Sequence, residues 1–348
     1  MAIPSELEAA FPDPDAAPTF ESPFALVGNT PLVRLTKVLE PGTQAKVYVK
    51  LDQYNLGGSS KDRIGIGIIR DAIASGELPD GHRIIDFGAG NTAIGYALAG
   101  LATGHPVTIV ANASLSPEKA NLLRFLGAEI IPGRIDVPRD HPENWACVAE
   151  RHADEDPSTW WARQESTPAN PSAHFNSTGP EIWRQTDGQV THFLAAIATG
   201  GTVSGTGRYL HERNPQVQVI ATDFADGPNA KTNLFAVADK LDGWEELEHD
   251  WARNIDLDVI DRLSTRPRRD AIDFGWRLAR TEGLLLGPSS TLSAAIAVEL
   301  AAKAAPDAVF VVFSADSGRD YLSREYNADW LRANGHAEIA DAYAGAQT

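Results

Sequence analysis

Short apolar runs alternate with segments of helical length along most of this chain. The run KVYVKL at 46–51 has apolar side chains at every second position, which predicts a β-strand. The run at 64–76 is long enough for a helix and ends in Gly76, a typical C-cap. Strands and helices then alternate through the segments 82–87, 92–104, 106–112, 116–127 and 128–133. This repeated strand–helix–strand order predicts a parallel sheet covered by helices.

A second α/β set follows a polar, tryptophan-containing stretch at about 135–160. Strands are predicted at 191–198, 217–224 and 308–316, and helices at 208–214, 271–283 and 291–306. We therefore predict an α/β fold of two domains, each with a mostly parallel twisted sheet flanked by helices, that face each other across a cleft. A loose N-terminal arm (1–22) precedes them. The smaller, mobile domain is expected to span 55–155, and the larger one 23–54 plus 156–348.

Composition narrows the class of partner. The net charge is −17, and nucleic acids and anionic membranes need clustered positive charge, so we expect neither as a partner. Cys147 is the single cysteine, which excludes an intramolecular disulfide and a zinc cluster of cysteines. The scattered histidines form no H-E-x-x-H motif, so no metal site is expected. Without a signal-like start or a long apolar run, the chain is expected to be cytoplasmic.

One lysine stands at an unusual place. Lys61 follows two glycines and two serines in NLGGSSKDRIG (55–65), at the predicted start of a helix. The chain has 22 arginines and 8 lysines, so it generally uses arginine where only positive charge matters. An ammonium can lose its proton and act as a nucleophile, whereas a guanidinium effectively cannot. A cation at a helix N-terminus is also mildly unfavourable, which indicates a chemical role for Lys61.

The glycine-rich stretch ATGGTVSGTG (198–207) is typical of an anion-binding loop. Gly200 and Gly201 let the backbone approach a ligand, Thr199 and Thr202 add hydroxyl donors, and a helix follows. A tight turn without a ligand remains an alternative. An NAD site with Asp223 on the ribose is disfavoured because the loop lacks the G-x-G-x-x-G spacing.

The lysine and the phosphate loop together favour one cofactor. GGSSKD is not a nucleotide P-loop, since Ser60 stands where glycine should precede the lysine and Asp62 where Ser or Thr should follow. Pyridoxal 5′-phosphate carries both a phosphate and an aldehyde that condenses with a lysine. We therefore expect pyridoxal 5′-phosphate as the cofactor.

Six segments in order resemble the fold-type II pyridoxal-phosphate enzymes, and within them the cysteine synthase and cystathionine β-synthase group. They are VGNTPLVRL (27–35), GGSSKDRIG (57–65), GNTAIGYALA (90–99), SPEKANLLRFLGAEI (116–130), TGGTVSGTGRYL (199–210) and DSGRDYLS (316–323). The resemblance runs from about residue 24 to 334. It implies a homodimer and small amino-acid substrates.

The resemblance assigns roles to particular residues. Lys61 would form the Schiff base and then move the Cα proton. Asn91 would bind the cofactor's ring hydroxyl, and Ser289 would face its pyridine nitrogen. The phosphate would be held by Thr199, Gly200, Gly201 and Thr202. The substrate carboxylate would be bound by Thr92, Gln164 and the amides of the loop formed by Gly88, Ala89 and Gly90.

The amino-acid site departs from the family pattern. Gly88 and Ala89 stand where Thr-Ser is usual, Ala93 replaces a glycine, and Glu165 replaces an aromatic residue after Gln164. The usual glycine-rich entrance loop is replaced by KLDGWEELEHDWARNIDLDVID (240–261). These changes leave the cofactor site intact but alter the surroundings of the substrate.

The function that the resemblance implies is β-replacement on serine or an O-activated L-serine through an aminoacrylate, with sulfide, homocysteine or an amine as the nucleophile. Alternatives are β-elimination of the dehydratase or desulfhydrase type, a 2,3-diaminopropionate-type synthase, and a non-catalytic relative that keeps the cofactor.

Overall fold

A computed structural model describes residues 19–88, 90–226 and 254–344. The strands of this part of the chain are β1 (Leu32–Leu35), β2 (Lys46–Leu51), β3 (Arg83–Phe87), β4 (Val107–Ala111), β5 (Glu129–Pro132), β6 (Thr159–Trp161), β7 (His192–Ala196), β8 (Gln218–Phe224), β9 (Arg262–Arg266) and β10 (Val309–Ser314). The α-helices are α1 (Lys61–Ser75), α2 (Asn91–Thr103), α3 (Pro117–Phe125), α4 (Trp145–Glu155), α5 (Ala169–Phe175), α6 (Thr178–Gln185), α7 (Gly201–Arg213), α8 (Arg268–Glu282), α9 (Pro288–Ala301), α10 (Ala328–Ala333) and α11 (Ala337–Ala344).

The strands form two sheets. The larger has six strands in the order β1-β2-β10-β7-β8-β9. Its neighbours are parallel except for β1 and β2, which are antiparallel. The smaller sheet has the order β5-β4-β3-β6 and is parallel throughout. Helices flank both sheets, which confirms the predicted α/β class.

Sheet membership differs from the predicted domain ranges at one place. Strand β6 (159–161) pairs with β3 and completes the smaller sheet, although the predicted small domain ends at residue 155. The pairing extends past that limit because helix α4 crosses over and returns the chain to the sheet edge beside β3. The division into a mobile and a fixed domain stays a prediction. Of the predicted arm, residues 1–18 lie outside the described part, as does 240–253 of the entrance segment.

Local sequence signals explain where several helices begin and end. Ser116 caps α3, since its Oγ accepts the Lys119 backbone N–H at 3.3 Å. Gly127 follows the same helix with a φ of +84°, a left-handed conformation that favours glycine. The predicted cap at Gly76 is also left-handed, with a φ of +80°. No helix of the described residues is both long and apolar enough to cross a bilayer.

Helices α1 and α2 pack directly against each other through glycines. A Cβ on Gly95 would lie 2.3 Å from the backbone oxygen of Lys61, and a Cβ on Gly65 would lie 2.5 Å from the carbonyl carbon of Gly95. Side chains at these positions would force the two backbones apart. The glycine pair therefore brings the first turn of α1 next to α2, whose first residue is Asn91.

Candidate active site

Lys61 is the first residue of α1 and is held by the loop before it. The Ser60 N–H donates to the Ala315 carbonyl at 2.8 Å, and Ser59 forms an isolated bridge with Asp316. Lys61 Nζ donates to Ser60 Oγ at 3.3 Å. Burial lowers the pKa of Lys61, and the charge of Asp316 opposes this shift in part. Burial therefore favours the neutral amine, the form that acts as nucleophile and base.

The backbone after β10 connects three of the predicted site loops. In this segment Asp316 contacts Ser59. The Asp316 carbonyl also accepts the N–H of Gly287, the residue just before helix α9, at 3.1 Å. The Asp316 carboxylate accepts a hydrogen bond from Asn91 Nδ2 at 2.9 Å. The loops that carry Lys61, Asn91 and Ser289 thus meet at Asp316.

Ser289 lies in the first turn of α9, which begins at Pro288. Its carbonyl accepts the Ser293 hydroxyl at 3.2 Å, while its neighbour Ser290 accepts the Ala315 N–H at 3.0 Å. Ser290 therefore fixes the start of α9 to the end of β10. Ser289 is partly accessible, as a residue that faces a cofactor ring requires.

The predicted phosphate loop is the start of helix α7. Gly200 is its N-cap with a φ of +87°, and the helix begins at Gly201. The prediction of a glycine-rich turn over 199–207 is therefore wrong beyond Gly200, because the later glycines, Gly201, Gly205 and Gly207, lie in the helix. A Cβ on Gly201 would lie 1.9 Å from Asn170 Oδ1, so only glycine fits there. The uncapped helix N-terminus presents backbone N–H groups and fits a phosphate.

Two buried residues that the sequence did not reveal support this cradle. His174 is fully buried between Thr178 Oγ1 at 2.9 Å and Thr202 Oγ1 at 3.1 Å. Burial and the charges of Arg63 and Lys61 lower its pKa well below the usual value, so it is neutral. Asn170 Nδ2 donates to Thr199 Oγ1 at 3.0 Å. Asn170 and His174 both lie in α5, a helix for which the sequence showed no periodic apolar pattern.

The predicted carboxylate site is supported by one buried carboxylate. Asp86 accepts hydrogen bonds from the Gln164 N–H at 3.0 Å, the Trp161 indole at 3.1 Å and the Tyr96 hydroxyl at 2.9 Å. The Gln164 carbonyl accepts Asn170 Nδ2 at 3.0 Å, which connects this residue to the phosphate cradle. Gln164 Oε1 is a buried acceptor without a donor among the described residues.

The loop before α2 is described only in part. The Gly88 N–H donates to the Val110 carbonyl at 3.0 Å, and Gly90 is the N-cap of α2 without a side-chain cap. Ala89 lies outside the described residues. Thr92, in the first turn, is partly accessible. The helix N-terminus therefore offers N–H groups to an anion.

Contacts join most of the predicted residues. The loop before Lys61, the Asn91 amide and the start of the Ser289 helix meet at Asp316. The 199–202 loop and Gln164 meet at Asn170. No hydrogen bond of the described residues joins Thr92 to either group. The roles assigned to all these residues stay predictions.

This chain resembles known proteins in sequence and in fold. The pyridoxal-phosphate dependent enzyme family matches residues 24–315. Cystathionine beta-synthase of Rattus norvegicus is 34% identical over 318 residues, covering 89% of this chain and 56% of the rat protein. Cysteine synthase of Aquifex aeolicus is 33% identical over 316 residues, covering 89% of this chain and 93% of that protein. The crystal structure of O-acetyl serine sulfhydrylase isoform 3 from Entamoeba histolytica has a TM-score of 0.78 at 26% identity, covering 94% and 97% of the two chains. The chain thus spans little more than half of the rat relative.

Proposed function

The chain belongs to the pyridoxal-phosphate dependent enzyme family, and we propose that it catalyses β-replacement on L-serine or an O-activated L-serine. Relatives named for cysteine and cystathionine synthesis support this reaction class. The observation that carries the proposal is Lys61, an amine with a lowered pKa whose loop meets those of Asn91 and Ser289.

The described residues fit the cofactor. The N-terminus of α7, with Thr199 and Thr202, would hold the phosphate, while Asn91 and Ser289 would contact the ring. When bound, pyridoxal phosphate supplies an aldehyde that condenses with an amine and a ring that accepts electron density from Cα.

Lys61 would move the proton. As a neutral amine it accepts the Cα proton of the substrate, and as an ammonium it can donate that proton to the departing β-substituent, which leaves with its bonding electron pair. A nucleophile then adds at Cβ with its own electron pair and loses a proton to the Lys61 amine, which returns that proton to Cα. Burial lowers the pKa of Lys61 and raises that of Asp316, while the opposite charges of the two groups offset part of each shift. A base is most effective when its pKa is close to the working pH.

The substrate carboxylate would bind at the N-terminus of α2 and to the side-chain amide of Gln164. Gly88 has no hydroxyl, so binding there depends on backbone N–H groups, Thr92 and Gln164. Asp86 would keep Gln164 in place because it accepts its backbone N–H. This assignment follows from the helix N-terminus, whose N–H groups have no side-chain cap.

Product analysis in D2O tests the proposal. Holoprotein is incubated with L-serine or O-acetyl-L-serine and with sulfide, homocysteine or an amine. NMR then follows deuterium at Cα and mass spectrometry identifies the product. We expect Cα exchange and a β-substituted amino acid. Lys61→Ala should lose both by several orders of magnitude, because the nucleophile and the base are one group.

Lys303→Ala, at an exposed lysine, is the matched control and should behave as the wild type. Pyruvate and ammonia without an addition product would favour β-elimination. No exchange with any donor would favour a non-catalytic relative. Normal exchange in Lys61→Ala would exclude Lys61 as the base.

A further inference from the structure

The side-chain amide of Asn91 lies between a cation and a carboxylate. Its Oδ1 accepts a hydrogen bond from Lys119 Nζ at 2.9 Å, and its Nδ2 donates to Asp316 Oδ2 at 2.9 Å. An ammonium can only donate, and Asp316 Oδ2 acts here as an acceptor. These two neighbours therefore permit one orientation of the amide. The opposite orientation would set Nδ2 against the ammonium and Oδ1 against the carboxylate.

Asp316 is well placed to impose this orientation. It is 5% exposed, and its Oδ2 also accepts the Tyr321 hydroxyl at 2.9 Å. Its backbone is fixed by the bridge to Ser59 and by the bond from Gly287. A Cβ on Gly287 would lie 1.9 Å from Asp316 Oδ1, so the carboxylate packs tightly against that glycine.

Lys119 reaches Asn91 from helix α3, beside the smaller sheet. Its ammonium also lies 3.6 Å from Asp320, in the short 3-10 helix Gly318–Tyr321 after β10. The contacts of Asn91 and Lys119 with Asp316 and Asp320 therefore join α2 and α3 to the segment that follows the larger sheet. Movement of one sheet relative to the other would change what the Asn91 amide contacts.

We propose that Asp316 and Lys119 are positioning residues that fix the Asn91 amide, so that its remaining N–H faces the ring hydroxyl of the cofactor. The inference rests on the role proposed above for Asn91. A donor at that point stabilises the ionised ring oxygen, whereas an inverted amide would present an acceptor and favour the protonated hydroxyl. The chain thereby sets the protonation of the cofactor through two residues that act by way of Asn91.

Absorption spectra of the holoprotein test the inference, since the ionised and protonated forms of the ring hydroxyl absorb in the visible and the near-ultraviolet, respectively. The variants are Asp316→Asn, Lys119→Gln, their combination and Gly287→Ala. Gly287→Ala displaces the Asp316 carboxylate without changing any charge. Asp329→Asn and Lys303→Gln, at exposed positions, are the charge-matched controls. Thermal unfolding checks that each variant is folded.

We expect Asp316→Asn, Lys119→Gln and Gly287→Ala each to lower the visible fraction several-fold, with the double variant no lower than the single ones. Both controls should match the wild type. If the visible fraction rose in one of Asp316→Asn and Lys119→Gln and fell in the other, the two charges would act directly on the cofactor and not through Asn91, which would overturn the inference. Unchanged bands in all variants would overturn it as well. An unchanged spectrum in Asn91→Ala would remove its premise and overturn it too. A wild-type protein without any cofactor band would instead refute the proposed function.

Discussion

Replacing Gly95 with alanine should separate two helices at Lys61. The new Cβ would lie 2.3 Å from the Lys61 carbonyl oxygen and 2.8 Å from its carbon, whereas ordinary contact begins at 3.4 Å. Both partners are backbone atoms, so no rotamer change can relieve the clash. The two helices must therefore move apart by about 1 Å, the difference between these distances.

The expected losses differ in size. Overpacking costs about 1–3 kcal/mol, while the better helix propensity of alanine returns about 1 kcal/mol, so the net loss of stability is about 0–2 kcal/mol. A misplacement of about 1 Å at a reacting group can cost on the order of 100-fold in rate. Gly95→Ala should thus fold almost normally and turn over substrate very slowly.

Urea unfolding and steady-state turnover measure both quantities. Ala102→Gly, at an exposed position of the same helix, is the control: it should lose up to about 1 kcal/mol of stability and keep its activity. If Gly95→Ala were more stable than the wild type and fully active, the close approach of α1 and α2 would have no part in placing Lys61.

Three further predictions concern a buried ion cluster, the assembly and the substrate loop. Burial alone would raise the pKa of Glu181, but its pairing with Arg63 and Lys50 lowers it to about 2. The pairing stabilises the folded state fully above about pH 4.5, and this stabilisation is lost as the pH falls toward 2. Glu181→Gln should therefore lower the free energy of unfolding by about 3 kcal/mol near pH 7, and its stability in urea should depend less on acid than that of the wild type. Unchanged stability near neutral pH would refute this. Light scattering should give twice the 37.4 kDa chain mass, and a monomer mass at micromolar concentration would contradict the expected homodimer. Gly88→Thr combined with Ala89→Ser should improve turnover of serine or O-acetylserine on the order of 100-fold, since each regained hydrogen bond to a charged group contributes about 1.5–3 kcal/mol; an unchanged ranking of substrates would mean that the altered loop has no effect on specificity.

Features with a local cause could be predicted from the sequence. The C-cap at Gly76 depends only on the neighbouring backbone, and the structure confirms it. Buried parallel strands such as β4 and β10 are continuous apolar runs and were found for that reason. The cofactor followed from the lysine and the phosphate loop taken together, and the family followed from the order of six segments rather than from any single one.

Features that depend on tertiary contacts could not be predicted. The glycines of α7 looked like a turn, yet they are helical. Position 205 requires glycine because a Cβ there would lie 2.0 Å from the Pro171 carbonyl oxygen. Strand β6 is short and strand β9 is polar, so their sequences do not indicate strands. Both form because they pair with the edge of a sheet. Asp316 and Lys119 are far apart in sequence, and only the fold brings both to Asn91.

Borohydride reduction of the holoprotein, followed by peptide mass spectrometry, tests most directly whether Lys61 carries the cofactor. Reduction would make the bond between the lysine nitrogen and the cofactor permanent, so the attachment point survives digestion. We expect the added cofactor mass on the peptide that contains Lys61 and on no other. Modification of a different lysine, such as Lys50 or Lys119, or no modified peptide under saturating cofactor, would contradict it.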